Sequence, residues 1–152
     1  MNTVRRLIDT QNGKLAVVNP NNSAQEGLQI MADRDIGALL VIDQGAMVGI
    51  VTERDFVRRL LNIGHDPQAV RIRDIMTTNV LYVHPETSVE HCMALMTEKQ
   101  VRHLPVVDQK ANLVGIISIR DIIADVISEK EFIIEQLEHY ILDRRPHLPS
   151  VG

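Results

Sequence analysis

The 152 residues include no Trp, two Tyr, two Phe and one cysteine. So few rings argue against an aromatic platform on which bases stack. The single thiol, Cys92, can form no disulfide within the chain. No stretch of about 18 apolar residues occurs, and the opening MNTVRRLIDTQNGK lacks the apolar run of a signal peptide. A soluble, cytoplasmic protein is therefore expected, with no membrane partner. Positive charge is also short. The net charge is −4, so no broad surface attracts a nucleic-acid backbone, although local basic pockets stay open. Apolar residues make up 45% and charged residues 24%, a balance that supports a real core in one compact unit or two fused small ones.

What the chain does have is an internal repeat. GIVTERD (49–55) returns as GIISIRD (115–121). Setting Pro20 on Pro85 aligns residues 18–44 with 83–109 at an offset of 65. Val18, Ser23, Met31, Leu39, Val41, Asp43 and Gln44 recur as Val83, Ser88, Met96, Leu104, Val106, Asp108 and Gln109. One extra residue in the following turn makes the offset 66, and Val48, Gly49, Ile50, Arg54 and Asp55 recur as Val114, Gly115, Ile116, Arg120 and Asp121. Identities in order with one shift at a turn do not arise from chance likeness of two β-rich segments.

Each copy reads as strand–helix–strand–strand–helix, a mixed α/β (α+β) pattern. LAVV and VLYV are short strands that stop before a proline. Asn22 with Gln25, and Thr87 with Glu90, have the spacing of a helix N-cap and its reciprocal partner. ALLVID and HLPVVD are nearly continuous apolar runs, expected of strands covered on both faces. MVGIVT and LVGIIS return, and helices begin at Thr52 and Ser118, with Phe56, Val57, Leu60, Leu61 and Ile122, Ile123, Val126, Ile127 on their apolar faces. Short elements VRRLI (4–8) and IRDIM (72–76) precede the copies. The expected organisation is repeat one at 3–62, a linker at 63–71, repeat two at 72–128, a helix at 129–143 and a loose tail at 144–152. One unit of roughly 60 residues buries its surface only marginally alone, so the two are expected to share a core.

The repeated string has two chemical readings. Thr52 or Ser118 followed at N3 by Asp55 or Asp121 is a variant capping box, and an acid there suits the helix dipole. Alternatively, the hydroxyl and exposed N–H groups meet a phosphate or sugar while the carboxylate accepts two hydrogen bonds from a vicinal diol, the chemistry by which acids read ribose. Gly49 or Gly115 would then let a planar base lie against the strand. Duplication does not choose between them, since a structural cap would also be repeated.

The stretch RDIMTTNVLYVHPETSVEHCMALMTEKQVRHLPVVDQKANLVGIISIRDI (73–122), with its weaker copy at 5–56, resembles a tandem pair of CBS (cystathionine-β-synthase) domains, a Bateman module. The resemblance covers residues 3–128. It implies two repeats packed about a pseudo-twofold axis, with adenosyl ligands (AMP, ADP, ATP, NAD(H) or S-adenosylmethionine) in clefts between them. It assigns Thr52 and Asp55 to one cleft and Ser118 and Asp121 to the other. Basic residues of one repeat would reach the phosphate held by the other: Arg102, His103 and Arg120 for the Asp55 cleft, Arg54 for the Asp121 cleft. Where repeat two has Arg102–His103, repeat one has Gly37–Ala38, so the Asp55 cleft is expected to suit phosphate and the Asp121 cleft to be roomier and less charged. Val17, Val18, Ile50, Met76, Val80, Tyr82 and Ile116 are the expected apolar walls for the base, each also a reasonable core residue.

Other signals are weaker. His84, His91 and Cys92 do not have the spacing of a compact metal set, and Cys92 reads as buried. No nucleophile with a named base can be assembled, so no catalytic residue, metal or catalytic cofactor is expected. The stretch 128–147 carries a helical stripe, Ile133, Ile134, Leu137 and Ile141, flanked by Lys130, Glu131, Glu135 and Glu138. It either folds back on its own module or packs on a second subunit, and the resemblance to dimerising discs favours the homodimer. The reading is a nucleotide sensor that signals to an effector protein. The alternatives are a nucleotide-transforming enzyme using His103 as acid or base, and a dimerisation module with empty clefts.

Overall fold

The structure, a computed structural model, describes residues 2–9, 15–63 and 66–144. After helix α1 (Val4–Asp9), the first repeat runs β1 (Val17–Val18), α2 (Ala24–Arg34), β2 (Ala38–Asp43), β3 (Ala46–Thr52) and α3 (Glu53–Asp55). α3 continues through a π turn, Phe56–Leu60, into α4 (Leu61–Ile63). Helix α5 (Ile72–Ile75) opens the second half, followed by α6 (Val89–Lys99), β4 (His103–Val107), β5 (Leu113–Ser118) and α7 (Ile119–Arg144). β1 pairs parallel with β2 and β2 antiparallel with β3. The second repeat repeats this with β4 antiparallel to β5, and its first strand shrinks to one parallel bridge, Val83 to Val106. The expected strands at LAVV and VLYV are thus mostly single extended steps.

The caps of α2 and α6 lie one residue beyond the expected ones. Ser23 and Glu26 form the capping box of α2, and the Ser88 hydroxyl accepts from the His91 N–H. Asn22 and Thr87 instead brace the preceding turns, accepting from the N–H of Asn19 and His84. A short polar side chain just before a helix can close either structure, and here the turn takes the first and the helix the second.

Each core is finished by a helix from the other side of the sequence. Val4 and Leu7 of α1 join Val83, Val89, Cys92, Met96, Leu104, Val106, Ile117 and Ile122. Ile72 and Ile75 of α5 join Val18, Ala24, Met31, Leu39, Val41, Val51 and Phe56. The backbone repeats the exchange: the Val4 N–H donates to Thr87 O, and the Ile72 N–H to Asn22 O, both at 2.9 Å. The repeats pack about a pseudo-twofold axis, and a third cluster, Ala38, Leu40 and Ile50 with Val80, Leu113 and Ile116, joins the two sheets.

The last helices carry apolar residues on two sides. Phe56 and Ile122 are buried, while Val57, Leu61, Ile123 and Ile127 point outward at equivalent places. α7 runs unbroken past the second repeat, and Phe132, Ile133, Ile134, Leu137, Tyr140 and Ile141 all stand exposed on it. It does not fold back on its own module. No helix of the described residues is long and apolar enough to cross a membrane.

Candidate functional site

Both strings close as capping boxes. The Thr52 N–H donates to Asp55 Oδ2 at 2.9 Å, and the Asp55 N–H to Thr52 Oγ1 at 3.3 Å. In the second string the Ser118 N–H donates to Asp121 Oδ2 at 2.8 Å, and the Asp121 N–H to Ser118 Oγ at 3.2 Å. The structural reading of the string is therefore present in both copies. The surroundings differ. Asp55 is buried, and its Oδ1 accepts from the Thr77 hydroxyl at 3.1 Å, with Arg59 Nε 3.8 Å away. Arg59 also donates to Met76 O at 2.7 Å, so it ties the end of α5 to this corner. Asp121 is half-buried.

The glycines serve close packing within the chain. A Cβ on Gly49 would sit 2.9 Å from both Met76 Sδ and Thr77 O. Gly115 is covered by Ile8, whose Cδ1 would lie 2.3 Å from such a Cβ. The space expected for a planar base over these two glycines is filled by Met76 and Ile8. The swapped helices α5 and α1 put them there. The Ile50 N–H donates to Thr77 O and the Thr77 N–H to Ile50 O, which pins the segment after α5 to β3.

The two repeats meet at Gly37 and His103. The His103 ring and the Glu53 carboxylate both crowd the Cβ position that Gly37 lacks. Burial pushes the His103 imidazole below its ordinary value; Glu53 and Asp121 oppose this, and Arg102 adds to it. His103 is opposite Ser118 in the β4–β5 register, as Ala38 is opposite Thr52. Arg54 reaches across to the second repeat, its Nη1 donating to Gln100 O at 3.1 Å. Arg102 and Arg120 are exposed, each beside its string or strand end.

The expected wall residues separate into three groups. Ile50, Val80 and Ile116 gather with Ala38 between the sheets. Met76 and Val18 pack on the first core. Val17 and Tyr82 are 46% and 53% exposed, which leaves them open for contact. Val17 and Val18 cannot share a wall, because successive strand residues face opposite ways, and Val18 faces the core. The spacing of residues did not single out Thr77, Arg59 or Glu53. The first two act through the crossing of α5, which no local pattern reports. Glu53 was visible as the one charge difference between TERD and SIRD.

The match to known proteins follows this geometry. The CBS domain family matches residues 4–62 and 72–128. The chain belongs to the CBS domain family. The CBS domain-containing protein YhcV of Bacillus subtilis is 35% identical over 122 residues, covering 80% of this chain and 86% of that protein. The CBS domain structure NE2398 superposes with a TM-score of 0.80 at 39% identity, covering 83% of this chain and 98% of that one. Two further CBS structures hold ligands. CBSX2 in complex with AMP has a TM-score of 0.70 at 26% identity, covering 86% and 99% of the two chains. The CBS domain pair of MJ0100, in complex with 5′-methylthioadenosine and S-adenosyl-L-methionine, has a TM-score of 0.72 at 27% identity, covering 86% and 98%. Among the described residues, no group of three His, Cys, Asp or Glu is placed to hold a metal.

Proposed function

We propose that this CBS pair is a cytoplasmic regulatory module that binds an adenosyl ligand, of the AMP, ATP or NAD(H) class, in the clefts marked by Asp55 and Asp121. The observation that carries the reading is the pair of equivalent strings beside the junction of the repeats, in a fold whose relatives hold AMP or adenosyl thioether and sulfonium compounds. Ligand bound there touches both repeats, so it biases their relative placement, and a partner protein reads the bias. Homodimerisation is supported by the outward apolar residues Val57, Leu61, Ile123 and Ile127 and by the exposed stripe of α7.

One observation favours a second reading, a structural dimerisation module. Both oxygens of Asp55 already accept hydrogen bonds within the chain, so that carboxylate has a purpose without a ligand. A thermal-shift titration with AMP, ATP, NAD+, NADH and S-adenosylmethionine, followed by chromatography of the ligand, separates the readings. A raised melting temperature with the ligand recovered unchanged supports the sensor. A converted ligand supports an enzyme acting through His103. No shift with any ligand supports the structural module.

A further inference from the structure

We propose that Glu53 selects ligand charge at the Asp121 cleft, disfavouring a 5′-phosphate there and favouring an adenosyl compound whose 5′ group is uncharged or cationic. This rests on the reading of the clefts as adenosyl sites. The strings Thr52–Glu53–Arg54–Asp55 and Ser118–Ile119–Arg120–Asp121 differ in charge only at their second position. Those second residues hang from equivalent points: the Glu53 N–H donates to Gly37 O at 3.1 Å, and the Ile119 N–H to Arg102 O at 2.8 Å. Glu53 Oε1 comes within 2.9 Å of the absent Gly37 Cβ, and His103 Cε1 and Nε2 lie 3.3 and 3.4 Å from the same point. The carboxylate of the first string and the His103 ring of the second repeat thus face the same bare backbone at Gly37. His103, which the family resemblance assigns to the Asp55 cleft, instead continues this line, since it pairs in register with Ser118, the residue that caps Asp121.

The cations are distributed unevenly about this line. Arg54, which the family resemblance assigns to the Asp121 cleft, is held by the Gln100 carbonyl. His103 is kept neutral to lower pH by burial, so it offers a phosphate a hydrogen bond rather than a full charge. A dianionic phosphate brought toward Glu53 meets a like charge, whereas a thioether meets none and a sulfonium or ammonium is attracted. On the other side of the axis the equivalent residue is Ile119, and Arg102 faces no carboxylate from that position. The two clefts of one chain therefore differ in the charge they accept.

The test is calorimetric binding of AMP and of adenosine to the full chain and to Glu53→Gln, each repeated with Asp55→Asn and with Asp121→Asn. Glu53→Ile, which copies the second string, is a further variant, and melting temperatures confirm folding. Glu53→Gln should strengthen AMP binding about fivefold at low salt, less as salt screens the exposed carboxylate, and leave adenosine unchanged. The gain should survive Asp55→Asn and vanish in Asp121→Asn. An unchanged ratio of AMP to adenosine affinity, or a gain that tracks Asp55, overturns the role of Glu53 and leaves the adenosyl reading intact. Binding of neither ligand to any form overturns both.

Discussion

The Thr77 hydroxyl donates to Oδ1 of Asp55 at 3.1 Å, across 22 residues of sequence. Thr77 follows α5, so the bond exists only because α5 crosses to the first repeat. It also completes the partners of a buried carboxylate. Replacing Thr77 by Val keeps the shape and removes the donor. The expected cost is about 2 kcal/mol, typical of a hydrogen bond to a charged group, read as a lower urea midpoint with an unchanged slope. No loss of stability would mean that Asp55 needs no such partner.

Gly49 and Gly115 should respond differently to alanine. The new Cβ at Gly115 meets chiefly the terminal methyl of Ile8, but at Gly49 it meets the Thr77 carbonyl as well as Met76. Overpacking of this kind costs about 1–3 kcal/mol. Ile8→Val should therefore restore most of the stability lost in Gly115→Ala. Met76→Ala should not rescue Gly49→Ala, because the backbone oxygen remains. Chemical unfolding of the four variants checks this.

His103 gives a pH dependence of known sign. Its folded value is lowered below the ordinary 6.5, with burial as the main cause. The folded chain then binds fewer protons than the unfolded chain between the two values, so stability rises with pH across that window. Its contribution is complete above about pH 6.5 and is lost as pH falls toward the lowered value. His103→Gln should flatten the difference in unfolding midpoint between pH 7.5 and 5.5, relative to the unaltered chain, and an equal difference in both would refute the assignment.

The repeat, its strand order and the two N-caps Thr52 and Ser118 were legible because they depend on neighbours in sequence. The exchange of α1 and α5 was not. VRRLI and IRDIM show an apolar side but nothing that says which core it joins, and only the clustering of Val4 with Val89 and of Ile72 with Val18 settles that. The role of Gly49 and Gly115 was lost for the same reason, since Met76 and Ile8 arrive on those helices. Helix periodicity marked Val57, Leu61, Ile123 and Ile127 as apolar but could not tell inward from outward, because these helices are apolar on both sides.

The outward residues define the expected dimer. Leu137 is 55% exposed on α7, between Ile134 and Ile141. Leu137→Glu should shift sedimentation equilibrium from dimer toward monomer while leaving the circular dichroism of the repeats unchanged, because the side chain contributes to no core of its own chain. A dimer of unaltered strength would place the interface elsewhere.

The most direct test of the central claim is equilibrium binding of AMP, adenosine and S-adenosylmethionine to the purified chain beside Asp55→Ala and Asp121→Ala. Saturable binding of at least one of them is expected, weakened about tenfold or more in one variant and retained in the other. No binding, or binding indifferent to both substitutions, would contradict it and leave the repeated string as a helix cap.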